Sequence, residues 1–212
     1  MMLEERTLII GDIHGCLELL KRLMDRVKWQ PDQDRLIFLG DYIDRGPDSK
    51  GVIDFLLQLM RESEKVQCLM GNHESMFLDF LSGVDISTFL INGGEDTLRS
   101  YYFDGETIIP PEHIHFLKNL QILLEVQNYC TVHAGLKPGL QIKDQSIDDM
   151  IWIREPFIYS KYDFGKKIIF GHTVFYNPLV MDNKIGLDTG AVYGNKLTCL
   201  ELPDLIFHSV GS

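Results

Sequence analysis

The segment KVQCLMGNHESMFLDF, residues 65–80, places three polar residues just after an apolar run that is typical of a β-strand. Asn72, His73 and Glu74 follow the run and one glycine, at the point where the strand should end. Buried polar atoms without partners are costly, so side chains at the edge of a core need something to bind. The segment therefore indicates both a strand and a site at its end.

Two earlier runs have the same form, an apolar strand closed by glycine and a polar residue: TLIIGD (residues 7–12) and RLIFLGD (residues 35–41). Between the three runs lie residues 16–27 and 49–62, whose apolar side chains recur at the spacing of amphipathic helices. This βαβαβ order predicts a parallel sheet covered by helices. Ligands of such sheets bind outside the carboxyl ends of the strands, which is where the polar clusters lie.

The rest of the chain is less regular. Residues 83–110 break the periodic pattern, which indicates a small cap-like, helical insertion within one domain spanning residues 1–212. A helix is predicted over residues 111–120. The close spacing of the strand-like runs that follow predicts antiparallel meanders forming a second sheet. These runs are ILLEVQ, YCTVHAG, KIIFGHT, PLVMD, IGLDTG, KLTCLEL and LIFHSV.

Composition narrows the class of protein. The chain has 212 residues, of which 45% are hydrophobic and 24% charged, a balance typical of globular domains. No apolar run approaches the roughly 20 residues that cross a bilayer, and the first residues lack the pattern of a secretory signal, so we expect a cytoplasmic protein without a membrane segment. The four cysteines form no CxxC pair and are expected to be reduced core thiols. A net charge of −11 argues against nucleic-acid binding.

Potential metal ligands stand at the ends of five strand-like runs: Asp12, His14, Asp41, Asn72, His133 and His172. Aspartate, histidine and asparagine without thiolates suit manganese, iron or zinc. Asp12 and His14 are two residues apart in an extended segment and project to the same side. Six ligands are too many for one catalytic ion with an open position, so they indicate two ions bridged by a carboxylate.

Charge indicates what such a site would bind. Two divalent ions carry four positive charges, and Asp12 and Asp41 return only two negative ones, which leaves a positive centre in an acidic protein. A two-metal centre of this kind clamps the oxygens of an in-line displacement and lowers the pKa of bound water. The pattern therefore favours hydrolysis of phosphate esters.

The ordered motifs GDIHG, GDYIDRG, GNHE, VHAG and FGHT resemble those of the phosphoprotein phosphatase family of binuclear metallophosphoesterases, in particular its small bacterial and phage serine/threonine phosphatases. The resemblance extends from residue 8 to about residue 200. It implies a calcineurin-like α/β sandwich of two mixed sheets flanked by helices, with two metal ions at the sheet edges. Manganese is the expected metal, with iron or zinc as alternatives.

The resemblance also implies roles for individual residues. Asp12, His14 and Asp41 would hold the first ion, and Asp41, Asn72, His133 and His172 the second. A metal-bridging hydroxide would attack phosphorus directly, without a phosphoenzyme. His73 would be the general acid, oriented by Asp44, and Arg45 and Arg154 would clamp the phosphate. Glu74 is expected to support the turn or the helix start.

Simpler explanations exist for single residues. Asp12 alone could be a helix N-cap, and Asp48 is predicted to be one. His133 or His172 alone would more often be a hydrogen-bonded structural histidine, but the ordered set of motifs reverses that expectation. Arg154 could instead form a salt bridge with Glu155 or Asp149.

We expect a phosphorylated protein or a small phosphoester as substrate. The alternative is a dinucleoside polyphosphate such as diadenosine tetraphosphate, which relatives with similar motifs hydrolyse. The symmetrical hydrolases of that class tend to lack the second aspartate of GDYIDRG and to carry aspartate after GNH, so Asp44 and Glu74 favour the protein phosphatase. A non-catalytic binding module is disfavoured because every motif position is filled.

Overall fold

The computed structural model of the chain describes residues 5–211. The strands within them are β1 (Thr7–Ile10), β2 (Arg35–Phe38), β3 (Val66–Cys68), β4 (Tyr102–Phe103), β5 (Glu106–Thr107), β6 (Leu123–Val126), β7 (Tyr129–Val132), β8 (Lys167–Phe170), β9 (Leu179–Val180), β10 (Lys184–Gly186), β11 (Lys196–Leu202) and β12 (Ile206–Gly211). The α-helices are α1 (Leu17–Val27), α2 (Ser49–Glu62), α3 (Asn72–Ser82), α4 (Ser87–Phe89), α5 (Glu95–Ser100), α6 (Pro111–Lys118), α7 (Ile147–Trp152) and α8 (Glu155–Ile158).

The first sheet has the strand order β12-β11-β1-β2-β3. Its strands β1, β2 and β3 run parallel, with Phe38 in register with Ile10 on one side and with Cys68 on the other. The predicted βαβαβ unit is therefore confirmed, with α1 and α2 as its crossovers. Because the strands are parallel and in register, the loops that follow them leave from one edge of the sheet.

The start of α2 follows a signal in the sequence, whereas the start of α1 does not. Asp48 caps α2 as predicted, because its side chain accepts a hydrogen bond from the Gly51 backbone N–H at 2.8 Å. The N-cap of α1 is Cys16, so Asp12 does not cap that helix. Helix α3 starts at Asn72, only a few residues after β3 ends, which brings its first turn to the sheet edge.

The second sheet has the strand order β6-β7-β8-β10-β9 and is mixed. The prediction of antiparallel meanders is wrong for much of it, because β7 with β8 and β8 with β10 pair in parallel. The connection from β7 to β8 contains α7 and α8, which gives it the length that a parallel crossover needs. Strands β11 and β12 also differ from the prediction, since they extend the first sheet through antiparallel pairing of β11 with β1.

The two sheets pack face to face and carry helices on their outer faces. Ile9, Ile37 and Leu200 of the first sheet form one buried cluster with Ile169 and Ile185 of the second. Alternate residues of β1 and β2 instead face the helices α1 and α2, as expected for strands whose side chains alternate between faces. The predicted α/β sandwich of two mixed sheets flanked by helices is therefore confirmed.

Residues 83–110 contain α4, a π-helical turn (Leu90–Gly94), α5 and the hairpin of β4 with β5. Phe89 is buried and stacks on Phe77 of α3 with 5.0 Å between ring centroids. The Gly93 carbonyl accepts a hydrogen bond from the Arg45 backbone N–H at 3.1 Å. The insertion is thus packed on the edge of the first sheet where the polar loops emerge.

Cys68, Cys130 and Cys199 are buried and Cys16 is half-buried; all four are free thiols, as predicted. Within residues 5–211, no helix combines the length and the apolar character needed to cross a bilayer.

Candidate metal centre

The predicted site residues converge on one edge of the sandwich. Eight of them are buried although all are polar: Asp12, His14, Asp41, Asp44, Asn72, His73, His133 and His172. They come from the loops after β1, β2, β7 and β8 and from the first turn of α3. Residues separated by up to 160 positions in sequence are in contact there, as where the His172 backbone N–H donates to the Asp12 carboxylate.

The backbone at this edge is unusual. Nine described residues other than glycine have positive φ, and five of them belong to the site: His14, Asp41, Asp44, Arg45 and His172. The left-handed conformation is costly for residues with a Cβ and is concentrated at functional sites. The sequence does not predict this feature, although aspartate and histidine tolerate it better than most residues.

A first group of potential ligands surrounds one oxygen of Asp41. His14 Nε2 lies 3.5 Å and His73 Nε2 lies 4.0 Å from Asp41 Oδ2. His14 Nδ1 donates to the Ile43 carbonyl at 2.8 Å, which fixes the ring and leaves Nε2 facing Asp41. Arg45 Nη1 also contacts His14 Nε2 at 2.8 Å. Proximity alone would allow His73 to be a ligand of this group.

A second group surrounds the other oxygen of Asp41. His133 Nε2 lies 3.3 Å from Asp41 Oδ1 and 3.0 Å from Asn72 Oδ1. His133 Nδ1 donates to the Leu39 carbonyl at 2.8 Å, so Nε2 faces the centre. The His172 ring lies 5.1 Å from the His133 ring, between centroids, and completes the group. Both groups could hold a metal ion, and they share Asp41.

Two buried polar atoms at this edge lack a hydrogen-bond partner within residues 5–211. Asp12 Oδ2 accepts a hydrogen bond from the His172 backbone N–H at 2.8 Å. Asp12 Oδ1 and His172 Nε2 have no hydrogen-bond partner among the described residues. An orphaned buried acceptor is costly, and a bound cation would satisfy it. Asp12 belongs to neither of the two groups above, so its unpaired oxygen is the observation that connects it to a cation. The residues therefore fit a pair of divalent ions, and their oxygen and nitrogen donors are those that manganese, iron and zinc accept.

Protonation is consistent with a cation site. Burial lowers the pKa of His14 to about 3 and that of His172 to about 2, which keeps both imidazoles neutral, as metal ligands must be. Burial, together with the nearby Asp188 and Asp41 carboxylates, raises the pKa of Asp12 well above its ordinary value. Crowded carboxylates of this kind are stabilised in the ionised form when a cation lies between them.

His73 and Asp44 form a close pair beside the first group. His73 Nδ1 lies 2.6 Å from Asp44 Oδ2, and the rings of His73 and His14 meet edge to face with 4.7 Å between centroids. Glu74 supports the helix start as predicted, because its Oε2 accepts the Gly71 backbone N–H at 3.0 Å.

Arg154 lies at the rim of the site. Its Nη1 donates to the His172 carbonyl at 3.1 Å and lies 3.5 Å from Thr173 Oγ1. Among the described residues, Arg154 forms no salt bridge with Glu155 or Asp149, the alternative considered above. Asp149 Oδ2 instead lies 3.9 Å from Lys137 Nζ. Arg154 is therefore directed toward the loop that carries His172.

Several contacts of the site were not foreseen from sequence. Thr97 and Ser49 contact Asp44. The Arg45 guanidinium lies over the Tyr193 ring, with 5.9 Å between Arg45 Cζ and the ring centroid. The rings of Trp152 and His172 meet edge to face with 6.2 Å between centroids. Except for Ser49, each partner comes from a segment that is distant in sequence, so no local signal indicates the contact. Asp188 accepts the Gly190 N–H at 3.0 Å, as expected for a turn residue.

Comparison with known proteins agrees with this geometry. The sequence pattern of the calcineurin-like phosphoesterases matches residues 5–208. The chain is 33% identical to serine/threonine-protein phosphatase 1 of Salmonella typhimurium, over 90% of this chain and 88% of that protein. It is 30% identical to the asymmetrical bis(5'-nucleosyl)-tetraphosphatase PrpE of Oceanobacillus iheyensis, over 96% of this chain and 91% of that protein.

A solved structure provisionally described as a diadenosine tetraphosphatase superposes with a TM-score of 0.80 at 24% identity, covering 100% of this chain and 95% of the other. At that identity the superposition supports the fold alone.

Proposed function

Because the chain belongs to the calcineurin-like phosphoesterase family, we propose that it is a serine/threonine protein phosphatase that hydrolyses phosphate monoesters on proteins of the cytoplasm. The family uses a divalent metal pair. The proposed ligands of the two ions, with Asp41 shared and manganese as the metal, are Asp12, His14, Asp41, Asn72, His133 and His172. When bound, such a pair supplies positive charge for the phosphate and lowers the pKa of a water molecule.

In this proposal His73 donates a proton to the leaving oxygen. The ring acts as the imidazolium: its Nδ1–H donates to Asp44, and its Nε2–H, which supplies the proton, faces the centre, with Nε2 4.0 Å from Asp41 Oδ2. A positioned general acid of this kind contributes about 10²- to 10⁴-fold to a rate.

The observation that carries the choice of substrate is the 2.6 Å contact between His73 Nδ1 and Asp44 Oδ2. A serine or threonine alkoxide is a strongly basic leaving group, so its departure depends on a proton donor. Cleavage of a dinucleoside tetraphosphate expels a weakly basic phosphate, which needs a proton donor much less. An oriented imidazole therefore supports the phosphoprotein.

Arg45 and Arg154 are proposed to hold the non-leaving phosphate oxygens. Arg45 Nη1 contacts His14 Nε2 of the first ligand group, and Arg154 Nη1 donates to the backbone carbonyl of His172, which belongs to the second group. The two guanidinium groups thus approach the two halves of the proposed centre. Planar guanidinium groups bind pairs of phosphate oxygens, which suits this placement.

Hydrolysis of dinucleoside tetraphosphates is the second candidate function, and the relative PrpE at 30% identity favours it. The presence of Asp44 and Glu74 separates this chain from the symmetrical tetraphosphatases only. Against the asymmetrical class, to which PrpE is assigned by name, the proposal rests on the leaving-group argument alone.

Parallel assays test the proposal. The purified protein, supplied with manganese, would be given a phosphoserine peptide and diadenosine tetraphosphate at equal concentrations, with Asp41→Asn as the inactive control. We expect a higher kcat/KM for the peptide. A higher value for the tetraphosphate would select the second function, and hydrolysis of neither substrate with manganese, iron or zinc would overturn both.

A further inference from the structure

Thr97 connects the insertion at residues 83–110 to the proposed proton donor. It lies on α5, is fully buried, and is 53 positions from Asp44 in sequence. Its Oγ1 donates to Asp44 Oδ1 at 2.6 Å and accepts from the Asp44 backbone N–H at 2.9 Å. One side chain therefore holds both the carboxylate and the backbone of the residue that contacts His73.

The directions of these hydrogen bonds follow from counting protons. A threonine hydroxyl has one proton and two acceptor positions, whereas an ionised carboxylate only accepts. The Thr97 proton thus goes to Asp44 Oδ1, and the Ser49 hydroxyl, 2.9 Å away, donates to Thr97 Oγ1. Ser49 Oγ in turn shares the Asp44 N–H at 3.0 Å. Every hydroxyl proton in this group has a defined acceptor.

This arrangement fixes Asp44 in a conformation that it would not adopt alone. Its φ is 71°, in the left-handed region that is costly for residues with a Cβ. Its two carboxylate oxygens are used separately, Oδ2 by His73 and Oδ1 by Thr97. Rotation of the carboxylate away from His73 would break the contact with Thr97 as well.

We propose that Thr97 is a positioning residue for proton donation, acting through Asp44 on His73, and that the insertion thereby takes part in catalysis as well as covering the edge of the sheet. This inference rests on the proposed function, in which His73 is the general acid. It adds a residue that contacts neither the metal ligands nor the substrate.

The dependence on the leaving group tests the inference. For wild type, Thr97→Val, Thr97→Ser and His73→Asn, kcat would be measured on a phosphoserine peptide and on p-nitrophenyl phosphate, whose leaving group is weakly basic. Valine keeps the shape of threonine and removes the hydroxyl, whereas serine keeps the hydroxyl. We expect Thr97→Val to lower kcat on the peptide by about tenfold and on the aryl ester by less than about threefold, while Thr97→Ser stays near wild type.

Ser100→Ala is the matched control. Ser100 Oγ accepts the Lys50 backbone N–H at 3.1 Å and donates to the Thr97 carbonyl at 2.7 Å, so it joins the same helices α5 and α2 without contacting Asp44 or the Thr97 hydroxyl. Removing the Ser100 hydroxyl should leave kcat on the peptide and on the aryl ester within about twofold of wild type. Thermal melts would be recorded for each variant. If Thr97→Val fails to fold, Ser49→Ala replaces it, since that change removes the donor to Thr97, and we expect about a threefold loss on the peptide alone.

The results separate the inference from the proposed function. Equal losses on both substrates, or no loss, for Thr97→Val would overturn the role of Thr97 while His73→Asn still showed a loss concentrated on the peptide. The same conclusion would follow if Ser100→Ala reproduced the effect. If His73→Asn itself lost no more activity on the peptide than on the aryl ester, the general acid would be wrongly assigned and both proposals would fall.

Discussion

The carboxylate of Glu74 accepts a hydrogen bond from the backbone N–H of Asp41 at 2.9 Å, 33 positions away in sequence. Its other oxygen accepts the Tyr42 N–H at 2.8 Å, and Gly71 donates a further backbone N–H. Asp41 has a left-handed backbone, with φ of 54°, and is shared by both groups of potential ligands. Glu74 therefore holds the central carboxylate of the site in place without contacting the centre itself.

Glu74→Gln should weaken metal binding. The substitution keeps the shape but replaces one acceptor with an amide donor, which faces a backbone N–H and disturbs the Asp41 loop. Groups that hold metal ligands in position typically contribute 10- to 100-fold to affinity, so we expect the Kd for manganese to rise by roughly that factor in titration calorimetry. Glu64→Gln, on an exposed glutamate, is the control. An unchanged Kd would show that Asp41 is held by other contacts.

His73→Asn should separate chemistry from metal binding. His73 lies close enough to Asp41 to be a ligand, yet its Nδ1 is bound to Asp44. If it is the general acid, turnover of a phosphoserine peptide should fall by about 10²- to 10⁴-fold. Bound metal, measured by elemental analysis, should stay near the wild-type content. Exposed His115 supplies the control, His115→Asn. Loss of metal in His73→Asn would instead assign His73 to the ligands.

Asp41→Asn should abolish stabilisation by metal. A ligand at 100 times its Kd stabilises the folded state by about 2.7 kcal/mol, which for a chain of this size corresponds to roughly 5–10 °C in Tm. We expect manganese to raise the Tm of wild type and of the surface control Asp25→Asn by such an amount. Asp41→Asn should respond by less than about 2 °C, because one oxygen of the shared carboxylate is lost. A full response would mean that the ions do not share Asp41.

Much of the site was predictable because its location follows from local pattern. Three apolar runs, each closed by glycine and a polar residue, specify parallel strands, and parallel strands deliver their loops to one edge. His133 and His172 each end a further apolar run, and the ordered set of motifs, rather than either run alone, indicated them as ligands. The types of these side chains and their order along the chain were sufficient to predict where the site lies.

The remaining features depend on contacts that no local pattern specifies. The parallel pairing of β7 with β8 is formed across a connection containing α7 and α8, and spacing alone suggested hairpins. The contact of Thr97 with Asp44 joins an irregular insertion to a loop. The left-handed φ of Asp44 is maintained by these tertiary hydrogen bonds, so it cannot be read from Asp44 and its neighbours in sequence.

Lys184→Met should destabilise the fold near Arg154. Lys184 is fully buried in β10, and its ammonium donates to the carbonyls of Phe157, Ile158 and Ser160, at the end of the short helix α8. Methionine keeps the apolar stem but removes all three donors. Leaving buried acceptors unsatisfied costs about 1–3 kcal/mol each, with partial relief from water, so we expect the free energy of unfolding in urea to fall by about 2–4 kcal/mol.

Lys184→Met should also weaken substrate binding by Arg154, one of the two arginines proposed to hold the phosphate. Helix α8 begins directly after Arg154, so its displacement should raise KM for the peptide several-fold and leave kcat less affected. Lys167→Met, in the adjoining strand β8, is the matched control, because its ammonium has no hydrogen bond among residues 5–211. Equal losses of stability in the two variants would show that the three carbonyls at the end of α8 do not depend on Lys184. In that case the position of Arg154 would have to be fixed by its contact with the His172 carbonyl.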